Sequence, residues 1–368
     1  MSVPLCRWLL VALLAGTVGA SALASAPAPA DEIERLVTDF MADTRIPGLS
    51  VGVLKDGKVL LARGFGIADL RSGMPASKDT IYPLGSLTKQ LTAAGIMLLV
   101  ESSQLSLDDA LVSHVDTPPT WHGVTIRQLL NHTSGIPDFV TTPDFAHLST
   151  RDHSPAEILQ WVAGSPLDFP PGAGWKYSNT NYFLLGLVIE SVSGDEYRAF
   201  MARHIFEPLR MNSTRVDRRG HRVRNRANGY VWRDGKLQIA DRPNPSVAYS
   251  AGGLVGTVVD FMKWQQALEQ SSLLSSATLS QMWAPTRVGD ETYPYGFGWR
   301  IHGKQNCISH SGHVQGAAAF MASCPGRRFG VILLANLEGV DLEPLSGRIA
   351  ELFNRPQISG TEIPPRPR

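Results

Sequence analysis

The segment Pro83-Leu84-Gly85-Ser86-Leu87-Thr88-Lys89-Gln90 sets a serine and a lysine three positions apart where a turn runs into an apolar helix. Residues three apart on a helix share a face, so the Lys89 amine can reach the Ser86 hydroxyl and share or take its proton. The helix predicted from Leu87 to Val100 carries apolar side chains almost all round (Leu91, Ala93, Ala94, Ile96, Met97, Leu98, Leu99), the pattern of a buried element. An amine held there loses solvation and its pKa falls, which suits a base. Ser86, at the amino end, also meets the positive pole of the helix, which favours an attacking oxyanion. Alone, Ser-x-x-Lys arises by chance about once in a chain of this size, and an N-cap serine beside a solvated lysine also accounts for it.

Two further segments change that balance. Pro170-Pro171-Gly172-Ala173-Gly174-Trp175-Lys176-Tyr177-Ser178-Asn179 puts a phenol and an amide two residues apart between a turn-rich stretch and a helix. Tyr177 could relay a proton from Ser86 to a leaving group, and Asn179 could hold a substrate carbonyl; a packed tyrosine and a capping asparagine are the plainer alternative. Cys307-Ile308-Ser309-His310-Ser311-Gly312-His313 reads as a strand whose backbone can pair with an extended acyl substrate, with Gly312 allowing close approach.

Working outward, a helix is expected from Asp31 to Asp43, followed by strands Leu49 to Leu54 and Val59 to Phe65 joined at Asp56-Gly57, a hairpin signal. The middle of the chain is mainly helical, with segments at Thr125 to Asn131, Pro155 to Val162, Tyr182 to Ser193 and Tyr197 to Ile205. Strand patterns return at Gly298 to Ile301, Cys307 to His310, Ala317 to Ala322 and Phe329 to Ala335, before a last helix through Ile349 and Phe353. The fold class is therefore α/β of the α+β kind: an antiparallel sheet built from both chain ends, flanked by helices, with an inserted helical lobe. The sheet lobe takes about residues 31–85 and 245–355 and the helical lobe about 86–244; a ligand belongs in the cleft between them.

The 368 residues are 43% hydrophobic and 18% charged, which suits a globular chain and excludes disorder and a multi-span membrane protein. Acidic and basic residues number 33 and 34, giving no support for a nucleic-acid or membrane-surface partner. Arg7, the apolar run Trp8 to Ala15 and the small residues Ser21 to Ala26 follow the order of a secretory signal peptide over residues 1–26, too short and diluted for a membrane anchor. Its removal takes Arg7 and Cys6, and implies a periplasmic or secreted protein. The remaining cysteines, Cys307 and Cys324, flank a hairpin, where they could pair in an oxidising compartment or stay as two buried thiols. Residues 356–368 are expected to form a flexible tail.

Taken together, Ser86-x-x-Lys89, Tyr177-Ser178-Asn179 and His310-Ser311-Gly312 resemble the three motifs of the serine β-lactamase and penicillin-binding protein superfamily. The resemblance is to its class C β-lactamase, D-alanyl-D-alanine carboxypeptidase and esterase branch. Thr125 to Gly135, Ser250 to Leu254 and Tyr295 to Trp299 look like that branch too, so the likeness spans about residues 45–340. It implies a β-lactamase/transpeptidase-like fold over residues 31–355 and an acyl-serine mechanism. In that scheme Ser86 attacks a carbonyl, Lys89 and Tyr177 share the acid and base work, and Asn179, His310, Ser311, Gly312 and His313 bind substrate. The backbone N–H groups of Ser86 and His313 would form the oxyanion hole. No cofactor and no metal are implied.

One departure bears on substrate. Efficient class C β-lactamases have lysine where His310 stands, and a mostly neutral imidazole is a weaker partner for a substrate carboxylate. This favours an ester, amide or D-amino-acid peptide substrate over antibiotics; a class C-like β-lactamase and a weakly catalytic penicillin-binding sensor are the alternatives. His313 is bulkier than the residue usual at its position. A nucleophile elbow at Ser250 would need a preceding strand, which Arg242-Pro243-Asn244-Pro245 argues against. His132 reads as a structural hydrogen-bonding residue. The basic run Arg218 to Arg226 reads as a solvated loop.

Overall fold

Strand-forming segments from the two ends of the chain meet in one sheet in a computed structural model, which describes residues 29–353 except 144, 221–222, 243 and 304–305. The expected leader and tail lie outside the described residues. Three strands come from the amino-terminal part: β1 (Gly48–Lys55), β2 (Lys58–Asp69) and β3 (Met74–Pro75). Four come from the carboxy-terminal part: β4 (Arg300–His302), β5 (Cys307–Val314), β6 (Ala317–Cys324) and β7 (Phe329–Ala335). Their spatial order is β4-β5-β6-β7-β1-β2-β3, antiparallel throughout, and β1 pairs with β7 in the register Leu49↔Ala335, Val51↔Leu333, Val53↔Val331. The β1–β2 turn is the one its sequence signals: Asp56 and Gly57 both adopt positive φ, at 53° and 77°.

Successive strand residues face opposite ways, and here both faces are covered. Val51, Val53, Val331 and Leu333 pack with Ile33, Val37, Leu345 and Ile349 from α1 (Pro29–Thr44) and a final helix, Glu343–Leu352. Leu54, Ile332 and Leu334 join the other core, which holds the helical lobe. That explains why β1 is buried along nearly its whole length rather than alternately.

The helical lobe is built round α2 (Thr88–Glu101), whose residues from Thr88 to Met97 are all buried, as expected of a helix apolar all round. It packs against α3 (Asn179–Ser193) and α4 (Pro245–Gly252). The expected mid-chain helices form, but α3 begins three residues earlier than its apolar spacing suggested, and the helix from Tyr197 ends at Met201 and passes into a π turn over Ala202–Phe206. Short strands also occur, pairing Tyr230–Arg233 with Lys236–Ile239 and Tyr82–Pro83 with Leu254–Gly256. Segments of two to four residues carry too little periodicity to be read from sequence.

Cys307 and Cys324 form a disulfide across adjacent strands β5 and β6, with Cα atoms 4.1 Å apart, resolving the alternative of two thiols.

Candidate active site

Ser86 stands in a 3-10 turn, Gly85–Leu87, that leads into α2, so it is not that helix's N-cap and makes no capping bond. The turn is held from two sides. Leu84 N–H donates to Leu254 O, and Gly85, at φ 52°, lies against β5 so closely that a Cβ on it would come 2.9 Å from His313 N. A side chain here would force the serine away from the strand. Ser86 is left half-buried, facing open space.

Lys89 is 0% exposed, far from the solvated lysine that the bare motif permits. Its Nζ lies 3.0 Å from Ser86 Oγ, 2.8 Å from Asn179 Oδ1 and 2.7 Å from Ala251 O. Burial pulls its pKa down to about 7, against the opposing charge of Asp138. Near neutrality much of the amine is thus unprotonated, with two N–H donors and a lone pair. Two of its neighbours can only accept, so the lone pair falls to the Ser86 hydroxyl.

Tyr177 comes from the turn that enters α3, and its O–H donates to Ser86 Oγ at 3.0 Å. Burial raises the phenol's pKa, so the resting group is neutral rather than a phenolate. The Ser86 hydroxyl can therefore donate to Lys89 while accepting from Tyr177. His132 anchors this turn. Its φ is 64°; its carbonyl accepts from Lys176 N–H at 3.0 Å, and its Nδ1 accepts from Ser178 N–H at 3.3 Å and Asn181 Nδ2 at 3.1 Å. The imidazole packs 4.4 Å from the Tyr177 ring, and burial drives its pKa well below the usual value.

Asn179 is already engaged: Oδ1 accepts from Lys89 and Nδ2 donates to Asp138 Oδ2 at 2.9 Å, which leaves one N–H for a ligand. Sequence reading did not single out Asp138 or the Ala251 carbonyl. Asp138 follows closely on the quoted Thr125 to Gly135 stretch, but a backbone acceptor leaves no mark on residue order.

The third motif divides. His310 is 2% exposed, its Nδ1–H donates to Ser311 O at 2.6 Å, and its Nε2 lies 3.0 Å from Tyr295 O–H. Burial, aided by Lys89, lowers its pKa to about 3, so it stays neutral. Both ring nitrogens of His310 are thus engaged within the protein. Gly312 packs on the Ser86 turn, Ser311 is half-buried, and the exposed His313 and its neighbour Val314 line the cleft from this strand. Ser250, the competing elbow serine, is buried in α4 and donates to Tyr182 O.

Above Ser86 opens a cavity of about 360 Å³, lined by Asn179, His313, Phe139, Phe145, Val247 and Ala251 among others. Among the described residues, none of those lining it is Lys, Arg, Asp or Glu.

Comparison with known proteins agrees with this architecture. Penicillin-binding protein 4* of Bacillus subtilis (strain 168) is 34% identical over 335 residues, 84% of this chain and 72% of that protein. Protein flp of Staphylococcus aureus (strain MW2) is 27% identical over 323 residues, 83% of this chain; the chain spans only 63% of that relative's length. The D-amino acid amidase from Ochrobactrum anthropi SV3, solved with L-phenylalanine amide, superposes with a TM-score of 0.79 at 26% identity, covering 89% of this chain and 98% of its own. The family described as Beta-lactamase matches residues 33–352, nearly everything the structure describes. With that match, the two-ended sheet and the relative 34% identical, the chain belongs to the β-lactamase/transpeptidase-like family of serine hydrolases.

Proposed function

We propose that this protein is an exported serine hydrolase that passes through an acyl-serine formed on an uncharged ester, an amide or a D-amino-acid peptide. The observation that carries the reading is Ser86 Oγ lying 3.0 Å from both Lys89 Nζ and Tyr177 Oη. Neutral Lys89 takes the Ser86 proton as Oγ attacks the substrate carbonyl. The backbone nitrogens of Ser86 and His313 face the developing oxyanion; a donor of this kind is typically worth about a hundredfold in rate. The departing alkoxide or amine takes its proton from Tyr177, which recovers one from the Lys89 ammonium. Water then attacks the acyl-serine by the same route, releasing the acid and restoring Ser86.

Substrate class follows from the walls of the cleft. The described residues of the lining include no Lys, Arg, Asp or Glu, which favours an uncharged, mainly apolar substrate group, and His310 offers no cation for a carboxylate. The likeness to a D-amino acid amidase supports an amide among the substrates. Export is supported by the leader-like residues 1–26 and by the Cys307–Cys324 disulfide. No helix among the described residues is long and apolar enough to cross a membrane.

A fluorophosphonate probe is expected to label the protein, and Ser86→Ala to abolish labelling. Comparing kcat/KM for nitrocefin, short acyl esters, D-amino-acid amides and D-Ala-D-Ala peptides then ranks the leaving groups. Stable labelling without turnover of any substrate would overturn the hydrolase in favour of a penicillin-binding sensor.

A further inference from the structure

Asp138 lies just outside the constellation; it does not itself line the cleft but bonds two residues that do, Asn179 and Val140. It is 7% exposed, with Oδ2 accepting from Asn179 Nδ2 at 2.9 Å and Oδ1 accepting from Val140 N–H at 3.3 Å. An ionised carboxylate only accepts hydrogen bonds. The Asn179 amide must therefore turn its NH2 toward Asp138, which turns its oxygen toward Lys89. Ala251 O, a backbone carbonyl, is likewise acceptor-only. Both N–H groups of a neutral Lys89 are thereby committed, and the direction left over points at Ser86 Oγ. Were the amide reversed, its NH2 would demand the amine's lone pair and draw it away from the serine.

Resting on the reading of Lys89 as the base, we infer that Asp138 is a positioning residue: by fixing which way the Asn179 amide faces, it aims the Lys89 lone pair at Ser86. The titratable groups facing the amine are Asp138 from the loop before Phe139, Tyr177 and Tyr182 with rings 5.0 Å and 5.6 Å from Nζ, and the imidazoles of His132 and His310. Burial keeps both phenols protonated and both imidazoles neutral. Arg300 lies farther out, where it acts on Tyr177 and His310. Asp138 is thus the group among them whose charge the amine feels, and that charge favours the ammonium.

The test is Asp138→Asn, which keeps the side chain's shape and the Val140 bond but no longer dictates the amide's direction. Expected are a fall in kcat on a chromogenic ester of at least about tenfold with KM little changed, and a Lys89 titration midpoint, read by NMR of labelled lysine, lower by about half a unit to one unit. Wild-type kcat with an unmoved midpoint, or a loss confined to KM, would overturn the inference. In a cycle with Asn179→Ala the two losses should not add, because they act along one path; additive losses would also overturn it. Should Asp138→Asn fail to fold, Asn179→Ala alone must lower kcat comparably, and normal kcat there overturns the inference. If the wild-type protein acylates no probe, the hydrolase reading fails, while the Lys89 midpoint still reports whether Asp138 governs the amine.

Discussion

The carbonyl oxygen of Leu84 occupies the place a side chain at Gly312 would need: a Cβ there would lie 2.0 Å from it. Strand β5 and the turn that carries Ser86 are therefore in backbone-to-backbone contact, and this contact brings His313 N against Gly85, the residue before the serine.

Gly312→Ala must push the two elements apart. Overpacking of this kind costs about 1–3 kcal/mol of stability, and a misplacement of about 1 Å in an acyl-transfer site costs about a hundredfold in rate. The expected result is a folded protein with lowered Tm whose kcat/KM falls by about two orders of magnitude. A variant with wild-type kinetics would show that the oxyanion donors lie elsewhere.

The pH dependence follows from Lys89 and Tyr177 together. The base is the neutral amine, so the rate should be low in acid, rise as pH passes through about 7, and level off above it. Tyr177, pushed above the usual phenol value of about 10, should add no falling limb at mildly alkaline pH. Tyr177→Phe should lower kcat by about two to four orders of magnitude while leaving the acid limb. Stopped-flow acylation across pH 5 to 10 checks all three expectations, and an acid limb centred near the ordinary lysine value would contradict a buried, desolvated base.

The disulfide lies at the far end of β5 from the site, six residues from His313 and so about 20 Å away along the strand. Cys307→Ser with Cys324→Ser should therefore lower stability without altering chemistry. A loop of this size contributes about 3 kcal/mol in the chain-entropy account. Calorimetry with and without reductant should show a lower Tm, with kcat/KM on a short ester unchanged.

Much of this arrangement was legible in residue order, for identifiable reasons. Strands β1 and β7 show themselves as dense runs of Val, Leu and Ile, and α2 shows itself as apolar on every side, from which the burial of Lys89 follows. The separation of Ser86 from Tyr177 by 91 positions was not bridged by any local pattern; only the family resemblance joined them. Residue type reads His310 as a mostly neutral imidazole, but its partners, Tyr295 from the preceding turn and the Ser311 carbonyl from its own strand, are set only by the fold. Asp138 and Ala251 O were invisible because what matters at each is the direction an acceptor faces, which only the folded backbone sets.

The place of β1 in the sheet has a consequence for how the molecule is made. One edge of that strand is satisfied at once by its neighbour β2, but the other waits for β7, so Leu49 meets Ala335 only after the long intervening segment has been made. Until then a row of apolar residues and open backbone groups stands uncovered, a template for mispairing with other chains. Closure of so distant a contact is slow, and assembly of this protein should be limited by the arrival of β7 rather than by any step in the helical lobe.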